Sequence, residues 1–365
     1  MKIVEFNNEK KYVNDFLRLP KMLYSIEDNM ENSEEIKKLL LGKHSLNKYF
    51  KLFKYILYDN SKVVGRFILT KYPKDNTIYI GFFECINNKE VAKVLFDYAE
   101  KKAKEKKASR IVGPVDASFW LKYRLKINLF DKRPYTGEPY NKSYYFDLFK
   151  DNGYKVIEHY TSNIYDVVGI NYKNEKFEEH FRTFIDKGYV IKSPTIEEYD
   201  KTIERLYYLL TELYSDFPIY KNISVDDFLE IFKSYKLIIN LNMVKMAYYK
   251  GELVGFFVSV PNYNNLVYHV NNPINLFKVL SLKKKPKEYV LLYMGASYEH
   301  RGLGKALASS ITEELRVSKL PSIGALARDG KITQNYAEDL IETRYEYVLL
   351  EKKLWWILEI LLKKI

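Results

Sequence analysis

The 365-residue sequence predicts an α/β fold that is built twice. Two observations support this prediction. Residues 289–315 read as a short buried strand, a glycine-rich turn and an amphipathic helix. The same order of elements also occurs in both halves of the chain, with an offset of about 190 residues. A chain of this length is long enough for two domains that each have a core.

The first half shows period-2 and period-3.6 apolar patterns in turn. They predict a strand, a helix, a hairpin, a strand, a helix and a strand, in that order, at residues 3–6, 12–17, 53–58 with 63–69, 78–83, 91–99 and 111–114. The second half repeats this order from its hairpin on. Its hairpin, strand, helix and strand are predicted at residues 243–249 with 253–258, 289–294, 303–315 and 322–325.

The repeat predicts two similar domains, at residues 1–168 and 189–353. A charged, helix-like segment at residues 169–188 is expected to link them. The apolar segment 354–365 is predicted to be a C-terminal helix, and it is shorter than the ~20 residues that a membrane span needs. We expect it to dock on a domain or in a homodimer interface. Attachment to a membrane surface through Lys363 and Lys364 is the alternative.

The bulk composition is typical of a globular protein, with 47% hydrophobic and 29% charged residues. The net charge of +12 favours acidic partners, but the basic residues are scattered, which makes nucleic acid an unlikely partner. Cys85 is the one cysteine, so an intrachain disulfide and a cysteine-rich metal site are excluded. The five dispersed histidines predict no metal site. The first residues alternate like a strand and resemble no signal peptide, so a cytoplasmic location is expected.

The turn at the centre of the second half contains the most specific pattern. We call it the glycine motif, and it consists of Arg301, Gly302, Leu303, Gly304, Lys305 and Ala306. Glycines let the backbone approach a ligand closely, and the first N–H groups of a helix have no partner within the helix. A pyrophosphate is the natural occupant of such a site. A plain glycine turn between strand and helix is the alternative.

The glycine motif resembles the acyl-CoA signature (Gln/Arg)-x-x-Gly-x-(Gly/Ala) of the GNAT acetyltransferase superfamily. The resemblance in the order of elements covers nearly the whole chain, but only the second half has this signature. It implies two GNAT-like domains, each with a mostly antiparallel central sheet flanked by helices. It also implies acetyl-CoA as co-substrate.

The first half has no glycine at the corresponding place, where Glu84 is followed by Cys85, Ile86, two asparagines, a lysine and Glu90. We therefore expect the first domain to be a degenerate copy that supports the second and shapes the substrate groove. A long loop rich in Pro, Gly and Tyr at residues 132–145 is a candidate lid on the substrate side, and an ordinary packing loop between the domains is the alternative.

The resemblance implies roles for several residues. The thioester carbonyl would be bonded by a strand N–H at Met294, Gly295 or Ala296, and the pyrophosphate by backbone N–H groups of the glycine motif. Asn335 matches an asparagine of the family's later motif and is a further co-substrate-binding candidate. The tyrosine expected seven residues later is replaced by Glu342.

Because of that replacement, the acid that protonates the leaving thiolate is open between Tyr336 and Tyr345. The base is open as well, between Tyr293, Glu299 and His269, or a bound water. His269 follows residues 266–268, whose pattern is typical of a packed strand.

The function predicted from the sequence is acetyl-CoA-dependent N-acylation of a primary amine, on a small molecule or a peptide. Two alternatives stay open. One is a tandem-GNAT transferase that uses aminoacyl-tRNA, which the basic net charge favours. The other is a non-catalytic regulator that binds acyl-CoA, which fits the glutamate at position 342.

Overall fold

A computed structural model describes residues 1–233 and 235–354 of the chain. In residues 1–168 the strands are β1 (Lys2–Phe6), β2 (Lys51–Asp59), β3 (Lys62–Lys71), β4 (Thr77–Cys85), β5 (Arg110–Gly113), β6 (Val115–Asp116), β7 (Lys122–Tyr123), β8 (Leu125–Lys126) and β9 (Lys155–Tyr165). The helices of this half are α1 (Lys10–Leu23), α2 (Ser33–Leu40), α3 (Lys89–Glu105) and α4 (Tyr145–Asp151).

The second half follows with strands β10 (Val190–Lys192), β11 (Val244–Tyr249), β12 (Glu252–Pro261), β13 (Tyr289–Ala296), β14 (Ser322–Arg328) and β15 (Ile341–Lys353). Its helices are α5 (Glu175–Asp186), α6 (Tyr199–Tyr214), α7 (Val225–Phe232), α8 (Tyr235–Ile238), α9 (Pro273–Lys284) and α10 (Leu303–Ser318). Short 3₁₀ turns lie at Ser45–Tyr49, Leu241–Met243, Leu266–His269, Ile332–Asn335 and Glu338–Leu340.

The chain forms two compact units. Among the described residues, unit 1 consists of residues 1–134, 139–159 and 346–354, and unit 2 consists of residues 135–138 and 160–345. In unit 1 the strand order is β1-β2-β3-β4-β5-β15, and in unit 2 it is β10-β11-β12-β13-β14-β9. In each order one neighbouring pair is parallel, β4 with β5 and β13 with β14, and the other pairs are antiparallel. The predicted α/β class, with a mostly antiparallel sheet flanked by helices, is therefore confirmed.

The two halves of the sequence exchange their last strands. Strand β9 comes from the first half but pairs with β14 in unit 2, and β15 comes from the second half but pairs with β5 in unit 1. The division between the units consequently runs through β9 and β15 instead of the expected linker at residues 169–188. Most of that segment is helix α5, which packs on α10 through Phe177 and Phe184 within unit 2.

Glycines explain the similarity of the two hairpins. A Cβ atom on Gly65 of β3 would come within 2.6 Å of Leu95 on α3, and one on Gly255 of β12 within 2.9 Å of Leu303 on α10. In each unit a helix therefore lies directly on the sheet, because the strand beneath it has no side chain there. The repeated Val-Gly pair in the sequence follows from this packing.

Helices cover both faces of each sheet. In unit 1, Gly65 faces α3, and the next residue, Arg66, points to the other face, where its guanidinium lies 4.3 Å from the ring centre of Phe16 on α1. In unit 2, Gly255 faces α10, whereas Gly295 of β13 faces Leu213 of α6. We call these two faces of unit 2 the α10 face and the α6 face.

One local prediction was wrong. Residues 266–268, predicted as a strand before His269, form a 3₁₀ turn together with it. The predicted C-terminal helix lies outside the described residues beyond Leu354. Among the described residues, no helix is long and apolar enough to cross a membrane.

Candidate functional site

Strands β13 and β14 separate after a short parallel pairing. They pair only at Tyr289 with Ser322, Val290 with Ile323 and Leu291 with Gly324. The register with β12 also shifts between Leu291 and Tyr293, so that Leu292 forms a bulge. Among the described residues, the edge of β13 from Leu292 to Ala296 that faces β14 has no strand partner, so its N–H groups on that edge are available to a ligand.

A cleft of about 410 Å³ opens where the two strands separate. On the α10 face it is lined by Tyr165, Phe177, Ala308, Ile311, Leu315, Tyr336 and Leu340. On the α6 face it is lined by Leu213, Tyr214, Phe217 and Tyr293. Arg328 and Lys331 bring positive charge, and no acidic side chain lines the cleft within the described ranges. The cleft thus suits a largely apolar ligand that has an anionic part.

Helix α10 begins beside this cleft with a backbone that only glycine adopts readily. Gly302 has a φ of +92° and is the residue before the helix, where no side chain caps the N–H groups. The N–H groups of Leu303 and Lys305 bond to the carbonyl oxygens of His300 and Gly302. Helix geometry leaves the N–H of Gly304 for an outside acceptor. An anion at this helix start is also favoured by the helix dipole.

The rest of the glycine motif surrounds this point. Leu303 and Ala306 are buried and hold the helix on the sheet, Lys305 is half-buried, and Arg301 is exposed. A Cβ atom on Gly304 would lie 3.1 Å from the hydroxyl of Tyr336 and 3.7 Å from Met294 Cε. A larger residue at position 304 would therefore press on Tyr336, which lines the cleft, whereas residues 301–306 of the glycine motif are not themselves among the lining residues.

No protein-family model matches the sequence, and no curated protein matches it. Solved structures do match. The chain is similar to a tandem GNAT protein from the clavulanic acid biosynthesis pathway, with a TM-score of 0.55 and 11% identity over 97% of this chain and 98% of that one. It is also similar to a GCN5-related glucosamine N-acetyltransferase region of a fungal multi-domain GH3 β-N-acetylglucosaminidase (TM-score 0.53, 13% identity, 96% of this chain and 38% of that one). A third similar structure is a GCN5-related N-acetyltransferase from Anabaena variabilis (TM-score 0.52, 9% identity, 95% and 72%).

The chain has the GNAT fold in tandem. The resemblance seen in the sequence is therefore confirmed for the fold. At these identities the similarity extends to the fold and to no particular activity.

Within this GNAT fold, the strand candidates for carbonyl binding lie at the cleft. Met294 and Ala296 contact the core on the α10 face, whereas Gly295 faces α6, and all three line the cleft. A Cβ atom on Gly295 would come within 2.5 Å of Leu213, so glycine is what lets α6 approach this part of β13.

The tyrosine candidates fall in three different places. Tyr336 lines the cleft on the α10 face, and burial raises the pKa of its hydroxyl to about 12, so that it holds its proton at neutral pH. Tyr293 lines the cleft on the α6 face and shares a hydrogen bond with Tyr235. The electrostatic interaction between the two phenols, together with burial, raises the pKa of Tyr235 well above its usual range. Tyr345 is buried against the ring of Tyr135, 5.6 Å away between centres, and is not among the lining residues.

The other polar candidates lie away from the cleft lining. Asn335 ends the 3₁₀ turn Ile332–Asn335, is exposed, and accepts a hydrogen bond of 3.2 Å from Arg344. Glu342 and Glu299 are exposed, and His269 is half-buried at the end of its 3₁₀ turn. None of these four is among the residues that line the cleft.

The structure adds Asn163, which the sequence analysis did not single out. Asn163 lies on the exchanged strand β9 opposite Gly324 and lines the cleft. Its side-chain N–H₂ donates to the hydroxyl of Tyr165 (2.9 Å) and to the carbonyl of Gln334 (2.8 Å). Its Oδ1 is buried without a hydrogen-bond partner among the described residues. Because a buried oxygen without a donor is costly, this atom is a candidate acceptor for a ligand N–H.

Only tertiary structure could have identified Asn163, since it comes from the first half of the chain while the glycine motif is in the second.

The predicted loop at residues 132–145 also comes from the first half of the chain and contributes residues to unit 2. Residues 135–138 belong to unit 2, where Thr136 Oγ1 accepts the N–H of Tyr263 (2.7 Å) and the Gly137 N–H donates to the hydroxyl of Tyr268 (3.1 Å). This segment is fastened on the α6 face, where a Cβ on Gly137 would lie 3.2 Å from Leu292.

Proposed function

We propose that unit 2 binds acyl-CoA, with acetyl-CoA as the first candidate, and transfers the acyl group to a primary amine. The observation that supports this most is the combination of the open β13 edge with a helix start that no side chain caps and where the N–H of Gly304 is left for an outside acceptor. A ligand with a pyrophosphate at one end and an amide-rich arm fits both features. The unpartnered Oδ1 of Asn163 adds an acceptor for an N–H of that arm.

In the reaction, the amine nitrogen attacks the thioester carbonyl carbon, the C–N bond forms and the C–S bond breaks. The amine loses a proton and the leaving thiolate gains one, so that the products are an amide and a free thiol. N–H groups on the edge of β13 would hold the carbonyl oxygen while negative charge develops on it. Met294, Gly295 and Ala296 are the candidates for this role.

Tyr336 and Tyr293 are the candidate proton donors, because both line the cleft and Tyr336 keeps its proton at neutral pH. We rank Tyr345 below them because it is buried outside the lining. A water molecule is sufficient as the base for an amine that enters from the α6 face. Arg328 on that side, 5.6 Å from the ring centre of Phe217, favours an acceptor that also has an anionic group.

The non-catalytic regulator remains a second candidate for a specific reason. The hydroxyl of Tyr336 lies against Gly304 at the start of α10, and position 342 is an exposed glutamate in place of the family's tyrosine. A protein that binds acyl-CoA without an acid at the sulfur would bind the ligand and leave it intact.

The first test is calorimetric titration of the protein with acetyl-CoA, beside the variant Gly304→Glu. Glutamate at this position would press on the hydroxyl of Tyr336 and repel the pyrophosphate. Gly169→Glu is the matched control, since this exposed glycine of unit 2 has nothing within 4 Å of its Cβ position and the charge change is the same. At ligand 100-fold above its dissociation constant, binding should raise the free energy of unfolding by about 2.7 kcal/mol.

We expect binding by the wild type and by Gly169→Glu, and loss of binding by Gly304→Glu. Thiol release with a panel of primary amines then separates the two candidates, because a regulator would bind acetyl-CoA without releasing thiol. If the wild type does not bind, both candidates fail. The aminoacyl-tRNA-dependent transferase would then come first, and steeply salt-dependent RNA binding would be its signature.

A further inference from the structure

Helix α9 exposes an unusual set of side chains in unit 2. Ile274, Phe277 and Leu280 are 64%, 73% and 39% exposed, and their spacing of three residues puts them on one side of the helix. Helix α10, by comparison, exposes a single large apolar side chain, Val317, among its residues. Single exposed apolar residues are normal, but three on a twelve-residue helix form a continuous patch.

The packing of α9 does not require this patch. The helix contacts α8 and the 3₁₀ turn Leu266–His269, and its fully buried residue is Val279, with Leu276 half-buried. Lys283 also fastens the helix, because its ammonium group donates to the carbonyl oxygen of Leu237 (2.9 Å). The helix therefore has one apolar side that packs within unit 2 and a second apolar side that is exposed.

The charged residues of α9 and of the three residues that follow it are all basic. The segment 273–287 contains no Asp or Glu, and its five lysines are Lys278, Lys283, Lys284, Lys285 and Lys287. Lys278, Lys284, Lys285 and Lys287 are exposed. We define the outer face of α9 as the set of Ile274, Phe277, Lys278, Leu280, Lys284 and Lys285.

We propose that the outer face of α9 binds the surface of an anionic lipid bilayer. Apolar side chains would enter the boundary between headgroups and acyl chains, while the lysine stems extend along it and their ammonium groups reach the phosphates. Nucleic acid fits this face less well, because Ile274 and Leu280 cannot stack on bases and gain nothing from phosphates. Binding to a membrane surface through this face does not depend on whether unit 2 transfers acyl groups.

The test is co-sedimentation of the full chain with vesicles of phosphatidylcholine alone and of phosphatidylcholine mixed equally with phosphatidylglycerol. Binding is expected only with the anionic lipid and should weaken as salt is added. The double variant Lys284→Gln/Lys285→Gln should lower the partition coefficient about 30-fold, since each lysine contributes about a factor of five. The double variant Ile274→Ser/Phe277→Ser should lower it at least about tenfold.

Val317→Ser is the matched control, because it removes an equally exposed apolar side chain from α10 and should leave partitioning unchanged. All substituted side chains are exposed, so circular dichroism should find the thermal midpoint unaltered. The proposal is overturned if the wild type does not co-sediment with anionic vesicles, or if it binds an RNA oligonucleotide instead. It is equally overturned if the α9 variants bind vesicles as the wild type does, since another segment would then be responsible.

Discussion

The two units have the same strand order, but in the described residues the space where the two parallel strands end is an open cleft in unit 2 and is filled in unit 1. In unit 1, β4 and β5 pair at three positions, from Thr77 with Arg110 to Tyr79 with Val112, just as β13 and β14 do. Beyond that point the space is filled, and the cavity that remains is about 30 Å³. A carbonyl oxygen of Val115 lies where a Cβ of Gly81 would be, and the ring of Phe83 packs against Phe96, Tyr145 and Phe149.

The helices that follow β4 and β13 also begin differently, because a side chain caps the first turn of α3 but not that of α10. Asn88 caps α3 by accepting the N–H groups of Glu90 and Val91, whereas Gly302 leaves the start of α10 uncapped. A side-chain cap satisfies the groups that a pyrophosphate would need. Within one fold, a capping residue and a few aromatic rings therefore distinguish an open cleft beside an uncapped helix start from a filled one beside a capped helix start.

Unit 1 also contains a buried charge network around Arg66. Arg66 is fully buried, bonds to Glu31 and to the carbonyl of Phe16 (2.7 Å), and lies 4.0 Å from Glu84. We expect Arg66→Met to lower the free energy of unfolding by about 3–5 kcal/mol, because two buried carboxylates would lose their partner. Urea unfolding measures this. Lys62→Met on the same strand should change little, and acetyl-CoA binding should survive in conditions where the variant is folded.

Filling the cleft of unit 2 should make it resemble unit 1. Ala308 lies on α10 and lines the cleft, so Ala308→Phe would place a ring where the ligand is expected. We expect acetyl-CoA affinity to fall about 100-fold, which is ~2.7 kcal/mol of binding free energy. Calorimetry measures it, with Val317→Phe on the exposed side of α10 as control. Unchanged affinity would mean that the ligand binds elsewhere.

Asn163 tests whether the exchanged strand takes part in binding. Asn163→Ala removes the unpartnered oxygen, and we expect acetyl-CoA affinity to fall about tenfold, as for the loss of one buried hydrogen bond. Gln334→Ala is the control, because only the backbone carbonyl of Gln334 contacts Asn163. Equal affinities for both variants would leave Asn163 with a purely structural role.

The smallest expected effect concerns pH and unit 1. Burial raises the pKa of Glu84 to about 7, against an ordinary value of 4.5, although Arg66 is near and the hydroxyl of Tyr145 donates to it (2.6 Å). Between these pH values the folded chain holds a proton that the unfolded chain releases. The free energy of unfolding should therefore fall as pH rises from about 4.5 to about 7. Glu84→Gln should reduce this slope in urea unfolding, and an unchanged slope would assign it to other groups.

Sequence patterns predicted most of what local geometry dictates. The glycine motif was visible because Gly302 needs a left-handed backbone, and the repeat was visible because Gly65 and Gly255 accommodate helices. The exchange of β9 and β15 could not be predicted in this way. The alternation of apolar and polar residues shows which side chains share a face of a strand, but it does not show which strand lies beside it. Asn163 was missed for the same reason. The 3₁₀ turn at residues 266–269 was predicted as a strand because a short apolar run does not by itself distinguish a strand from a helical turn.

The exchange of strands has a consequence for how this protein is made. A ribosome completes residues 1–159 long before residues 346–353, so β5 has an unpaired edge until residues 346–353 have been synthesised. Strand β9 in turn waits for β14, more than a hundred residues later. Neither half can close its sheet from its own residues. Two fragments cut between residues 169 and 188 would each contain the strand that the other lacks, and they would have to fold as a pair.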